Sequence, residues 1–399
     1  MLKRTLLTTA LFSCLAFASE EGDKLDTKFE VFHDRNDVTA LSPVMSLTKS
    51  IARNFSIDWE AQLDAVTGAS RQWGTKGSGQ NPPLDASTGA SGKATTVSHV
   101  LDGISGASGK GDWELRGGTK LGVTWTDKKG GVLNGSLSVS KENDYKSFSP
   151  AIGGSWDFGE RNTTVSWGAS WFFDRESPYG AWALLGGGAK RVQSYNLGLS
   201  QTLTPLSLAG LTATVTRTTG YIGHPYNPVS TVDSGLLAEY LPEKKDAVAL
   251  AAQFVQGFHL GDLLGSVNSE YRWYTDSWNL RSHTLTVRWS QHLSDASVLR
   301  LQARVYTQTG AAFASTHDLG NELYRTADIR FFPFNSYLLG AKFSSELPEA
   351  WGALLPRRWD ISYDHLVRDT KGNPALYQLY AANAWYMQGT ARLGFSWDI

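Results

Sequence analysis

Cysteine is all but missing from this sequence. The single residue, Cys14, lies near the amino terminus, so neither a disulfide framework nor a cysteine-based zinc site is available. Charge is also scarce. Charged residues make up 19% of the 399, below the roughly 25% of a typical soluble domain. A formal net charge of −1 leaves no basic footprint for nucleic acid. Long apolar runs are absent after the first eighteen residues, where nothing approaches the roughly 18–20 continuous apolar residues of a membrane helix. The mean hydropathy of −0.27 likewise argues against a bundle of such helices. Catalytic signatures are equally thin. His33, His99, His224, His259, His283, His292, His317 and His365 show no metalloprotease or H-x-H spacing. There is no G-x-S-x-G elbow, and Gly89-Ala90-Ser91-Gly92-Lys93 lacks the spacing of a phosphate-binding loop. No enzyme activity, metal or cofactor is expected.

What is present begins with an address. Lys3 and Arg4 precede an apolar stretch from Leu6 to Leu15, and Ala16-Phe17-Ala18 forms an A-x-A cleavage site. Residues 1–18 are therefore expected to be a signal peptide, whose removal takes Cys14 with it. Lipidation of Cys14 is disfavoured because Phe12 stands where a small residue is usual.

After the leader, strict alternation recurs. Phe55, Ile57, Trp59, Ala61 and Leu63 interleave with Ser56, Asp58, Glu60, Gln62 and Asp64. Val165, Trp167, Ala169, Trp171 and Phe173 repeat the pattern, as do Leu285, Val287 and Trp289, then Leu299, Leu301, Ala303 and Val305, and finally Leu393, Phe395, Trp397 and Ile399. Period two over about ten residues is a strand with one apolar and one polar face. In a water-soluble sandwich the polar face usually carries Lys, Thr and Glu. Here Arg, Asp, Glu, Gln and Tyr oppose a face crowded with Trp and Phe. Aromatic residues reach 12%, which suits a lipid-facing wall between aromatic girdles around a polar lumen. Backbone groups in hydrocarbon must all be paired, which a closed barrel achieves. The expected fold is all-β, a transmembrane antiparallel barrel forming residues 19–399 as one domain. At about 24 residues per strand and connection it has about sixteen strands, an even number between roughly 14 and 18.

The punctuation agrees with this reading. Short turn signals at Lys129-Gly130-Gly131, Gly159-Glu160-Arg161-Asn162, Thr204-Pro205 and Leu293-Ser294-Asp295 alternate with long polar stretches at 67–111, 175–189, 220–244 and 311–323. Short periplasmic turns and long extracellular loops are the pattern of a bacterial outer-membrane barrel. Within 67–111, a candidate lumen plug, a motif recurs: Asp64 to Ser70 is echoed by Asp85 to Ser91 and by Asp102 to Ser108. The carboxylate, the hydroxyls and a Gly free to take positive φ suit either a hydrogen-bonded turn or a hard cation, and the turn is favoured.

These repeats, together with Leu41-Ser42-Pro43-Val44, Glu142-Asn143-Asp144-Tyr145-Lys146-Ser147, Gly220-Tyr221-Ile222-Gly223-His224-Pro225-Tyr226, Leu241-Pro242-Glu243-Lys244-Lys245, the stretch from Tyr271 to Trp278, Tyr306-Thr307-Gln308 and Ala327-Asp328-Ile329-Arg330, follow one another along the chain. In that order they resemble a family of bacterial outer-membrane β-barrel proteins of about this length whose domain has no assigned function. The resemblance implies the barrel fold and supplies neither activity nor substrate. Lys244-Lys245 departs from the pattern, where an Arg is expected.

With the apolar set turned to lipid, Asp58, Glu60 and Asp64 point inward early in the chain. Glu270, Arg272, Asp276, Arg288, Arg300, Arg304, Asp328 and Arg330 do so late. Closure of the first strand on the last would set the acidic and basic groups on opposite walls, a transverse field of the kind that selects ions and small polar solutes. The bland alternative is that Arg and Asp simply pair and fill the interior. Two functions follow: a pore for small polar solutes or an exported small product, or a plugged barrel working through its surface loops. Expected partners are outer-membrane lipid, the barrel-insertion machinery and a periplasmic protein.

Overall fold

The computed structural model describes residues 23–34, 39–67, 114–178, 186–223, 229–231, 235–237, 239–314, 323–326, 328–348, 355–369 and 385–398. The strands are β1 (Lys24–Asp34), β2 (Thr39–Ala52), β3 (Phe55–Thr67), β4 (Glu114–Thr126), β5 (Val132–Lys141), β6 (Tyr145–Phe158), β7 (Thr163–Glu176), β8 (Gly188–Thr204), β9 (Ser207–Gly220), β10 (Val229–Thr231), β11 (Gly235–Leu237), β12 (Lys244–Leu260), β13 (Leu263–Asp276), β14 (Arg281–His292), β15 (Ser297–Gln308), β16 (Phe334–Glu346), β17 (Arg358–Asp369) and β18 (Trp385–Asp398). All but β10 and β11 form one closed antiparallel barrel of sixteen strands, each beside its sequence neighbour. The small β10–β11 hairpin lies in the connection between β9 and β12. Closure is made by β1 on β18, in a register that sets Phe29 against Leu393 and Leu25 against Trp397. Barrel strands run from 10 to 17 residues, enough for the roughly 9–11 tilted residues that cross a bilayer.

The burial pattern is inverted relative to a water-soluble protein. Leu197, Leu211 and Leu339 are 59%, 60% and 68% exposed, while Asp64 and Arg368 are 1% exposed. Alternation puts the large apolar side chains outside and the polar ones in the lumen, so the apolar exterior needs hydrocarbon to cover it. No described helix is long and apolar enough to cross a membrane, and the strands take that role.

The turns divide as their lengths suggest. Connections 53–54, 127–131, 159–162, 205–206, 261–262 and 293–296 share one rim with the start of β1 and the end of β18. Gly130 adopts φ 91°, and its amide donates to the Asp127 carbonyl within one of these turns. The strand ends joined by residues 68–113, 177–187, 221–243, 309–333 and 370–384 share the other rim. Two departures appear. The 347–357 connection is longer than its rim's pattern, and 142–144 and 277–280 are tight turns on the long-loop rim. The 67–111 segment, expected as a plug, lies outside the described residues beyond Thr67.

Candidate functional site

The lumen has two unlike walls. From β5 to β9 its face is built of small hydroxyl side chains such as Ser138, Ser140, Ser149, Ser170 and Thr218. From β13 round to β4 it carries most of the large and charged groups. Toward the long-loop rim the two walls enclose a cavity of about 470 Å³. Three tyrosines reach it, Tyr145, Tyr274 and Tyr306, together with cations (Arg116, Lys120, Lys190, Lys245, Arg330) and acids (Glu60, Asp64, Asp144, Asp174, Glu176, Asp276).

Most of these charges are matched locally. Arg116 lies 3.6 Å from Glu142 and packs over the Tyr145 ring at 5.6 Å. Lys190 lies 3.5 Å from Asp174, which also accepts from Ser147 at 2.7 Å. Asp276 accepts from Tyr274 Oη at 2.9 Å and from the amides of Trp278 and Leu280, and so holds the 277–280 turn while facing the cavity. Charge-assisted hydrogen bonds of this kind are how a buried carboxylate offsets lost hydration.

The described parts of the 309–333 connection, 309–314, 323–326 and 328–333, fold inward across this end of the lumen. Gln308, at the tip of β15, donates from Nε2 to the carbonyls of Arg330 and Phe332, both at 2.7 Å, and accepts from Tyr306 Oη at 2.5 Å. Phe313 and Phe331 pack edge-on to Trp278 at 5.1 and 5.3 Å. Tyr240 and Arg325 exchange backbone hydrogen bonds at 3.0 and 2.8 Å, joining the connection to the one before β12, and Thr326 Oγ1 donates to Glu239. The chain thereby carries Arg330 and Phe331 into the cavity, with Arg330 within electrostatic reach of Glu176 on the far wall. Burial, with Glu176 and Glu239 nearby, pushes the Tyr221 phenol above its ordinary range.

The residues singled out from alternation fall into three groups. Asp58, Glu60 and Asp64 on β3 face the lumen half-way round the ring from β13, which carries Glu270, Arg272 and Asp276. Asp58 accepts from Thr48 at 2.8 Å, and buried Asp64 accepts from Gln62 at 3.0 Å. Arg288, Arg300 and Arg304 form a diagonal ladder on β14 and β15. Arg288 lies 3.9 Å from Glu270, Arg300 donates to Ser290 at 3.1 Å, and Arg272 stacks over Tyr274 at 5.5 Å. Local pairing is thus superimposed on the two-wall separation.

Asp328 and Arg330 need correction, because neither is on a strand. Arg330 belongs to a 3-10 turn, Ile329–Phe331, in the inward-folded connection, and Asp328 precedes it and holds Arg330 Nε at 2.7 Å. The first copy of the Asp-to-Ser repeat needs another. Asp64 lies inside β3, where the ladder and not a turn sets its backbone. Ser70, Asp85, Ser91, Asp102 and Ser108 lie outside the described residues.

Alternation alone missed Arg116, Asp174, Lys190 and the three tyrosines. For the tyrosines the signal lay elsewhere, since the segments carrying the family resemblance (Glu142–Ser147, Gly220–Gly223, Tyr271–Trp278, Tyr306–Gln308 and Asp328–Arg330) converge on this one cavity, whereas Arg116, Asp174 and Lys190 lie outside those segments.

Comparison with known proteins agrees with the fold. The profile of a family described as "Protein of unknown function (DUF3570)" matches residues 6–355. No curated protein matches the sequence. Among solved structures, CdiB from Acinetobacter baumannii is similar with a TM-score of 0.50 at 7% identity, over 95% of this chain and 61% of that one. A bacterial polysaccharide outer membrane secretin is similar with a TM-score of 0.48 at 8% identity, over 94% and 97% of the two chains. Pseudomonas aeruginosa OccK2 (OpdF), solved with glucuronate, gives 0.41 at 9% identity over 96% and 99%. At such identities the likeness concerns the fold alone.

Proposed function

We propose that this chain, which belongs to the DUF3570 family, is an outer-membrane pore for small polar solutes. The solutes would pass a lumen narrowed near its long-loop rim by the 309–333 connection. One observation carries the reading. A cavity of about 470 Å³ remains between the hydroxyl-lined wall and the wall that bears Tyr274 and Tyr306, even with Arg330 and Phe331 folded into it. A barrel near sixteen strands is wide enough for an aqueous channel, and a wall of charge facing an unlike wall discriminates among polar solutes. In this reading the long loops face outward, and the start of β1 and the end of β18 face the periplasm. The closure of β1 on β18 leaves no sheet edge exposed to lipid, consistent with such a location.

The inward-folded connection favours a second reading, a plugged barrel that works through its loops. Planar-bilayer recording of the purified full-length protein separates the two. Discrete conductance steps in a potassium chloride gradient support the pore, whereas a correctly folded barrel that passes no current would overturn it in favour of the plug.

A further inference from the structure

Outward-facing cations on the long-loop rim gather on one arc of the barrel. Lys141, at the end of β5, pairs directly with Lys146 at the start of β6. Lys146 in turn pairs with Arg175 near the end of β7. Arg191 on β8 pairs with Phe173, one diagonal step from Arg175. All four side chains are exposed. Their parity matches that of Val139, Phe148, Phe173 and Tyr195 on the same strands, which are 44–48% exposed on the outer face. The arc continues to Arg217 and Lys244, which share Asp246 at 2.7 and 3.2 Å. The first four have no such partner among the described residues. The acids near them in sequence, Asp144, Asp174 and Glu176, turn inward to the lumen cavity.

Like charges placed directly opposite destabilise a sheet. A row of them with no carboxylate partner among the described residues is therefore a place where added counter-charge binds. The next pairs toward the middle of the band are apolar. Val139 faces Phe148, Phe148 faces Phe173, and the two phenyl rings stack at 6.2 Å. Cations above stacked aromatics match a molecule with an anionic head and a hydrocarbon tail, because long Lys and Arg stems lie along apolar surface while their charges reach the head-group level. The corresponding outward positions on β1, β16 and β17 are His33, Asn335 and Asp369, so the feature belongs to one side of the barrel. We propose that Lys141, Lys146, Arg175 and Arg191 form a binding surface for a phosphorylated lipid of the outer leaflet, with its phosphates on the cations and its acyl chains over Phe148 and Phe173. The inference needs only that the long-loop rim lies at the outer leaflet, and it holds whether or not the lumen conducts.

The test uses the purified full-length barrel in a neutral detergent, offered bisphosphorylated lipid A, phosphatidylcholine or inorganic phosphate, with bound lipid read by native mass spectrometry. The wild-type protein is expected to retain lipid A over phosphatidylcholine, and raising the salt should weaken retention. Lys146→Gln with Arg175→Gln should lower lipid A affinity by about fivefold for each charge removed, and Lys141→Gln with Arg191→Gln should repeat the loss. Arg161→Gln, on the short-turn rim, should leave it unchanged. Because all four side chains are exposed, both double variants should keep the heat-modifiable gel shift of a folded barrel. Equal retention of lipid A by wild type and both double variants would overturn the proposal, as would displacement of the lipid by inorganic phosphate alone.

Discussion

Glu30 and Arg392, 362 residues apart in sequence, form an ion pair of 2.5 Å across the seam where the first and last strands meet. Arg392 reaches in the other direction to Asp364 on β17, also at 2.5 Å. One guanidinium thus ties β18 to both of its neighbours, at the only joint the chain cannot make between consecutive strands. A planar fork suits this better than an ammonium, since it presents two edges to two carboxylates.

Arg392→Ala should therefore loosen closure. It leaves Glu30 and Asp364 facing the lumen without their shared cation, at a cost of roughly 1.5–3 kcal/mol for the charged hydrogen bonds lost. The expected result is a lower temperature for the heat-modifiable gel shift, with Arg392→Lys restoring part of it. An unchanged transition in Arg392→Ala would mean that the backbone ladder alone closes the barrel.

The arginine ladder should govern ion preference. Arg300→Glu with Arg304→Glu reverses two charges on the wall opposite β3 while leaving the lipid face untouched. Lumen substitutions escape the penalty of roughly 2–4 kcal/mol for a charge at the bilayer midplane, so the barrel should still assemble. Reversal potentials in a salt gradient are expected to move toward cation preference. An unaltered potential would make these arginines filling rather than filter.

Gln308 should set the width of the passage. Gln308→Leu removes the Nε2 donor that holds the Arg330 and Phe332 carbonyls and the Oε1 that accepts from the Tyr306 hydroxyl. Single-channel conductance should rise and become noisier as the connection leaves the lumen. A variant with wild-type steps would show that the aromatic contacts around Trp278 suffice to hold it.

Assembly should depend on the last strand. Trp397 pairs with Leu25 on the outward face of the seam, next to Phe395. Trp397→Asp places a charge on the lipid side, and folded protein should be lost from the membrane fraction. Heat-modifiability and fractionation report this directly. Normal assembly would show that the register of β18 on β1 is not what the insertion step reads.

The way each side chain points was legible from residues alone. Alternation is a local property of a strand, so Leu285, Val287 and Trp289 identify Thr286 and Arg288 as inward wherever β14 sits. The two rims were legible too, because turn length is written in Gly, Asn, Asp and Pro. The same reasoning placed Asp328 and Arg330 on a strand, and there it failed. They belong to a connection whose path is set by Gln308 and by the aromatic cluster at Trp278, contacts from residues distant in sequence.

Period two in the sequence determined that this chain is built of two-faced strands, and the chemistry of the two faces determined which meets lipid and which meets the lumen. It also determined that charge would collect inside, since each of these follows from the chemistry of neighbouring residues. Only the tertiary structure decided what meets what across the lumen. That Glu176 lies within reach of Arg330, and that β3 stands half-way round from β13, depends on sixteen strands closing at one stagger. Strand number and stagger together set a barrel's diameter, and neither is a property of any single strand.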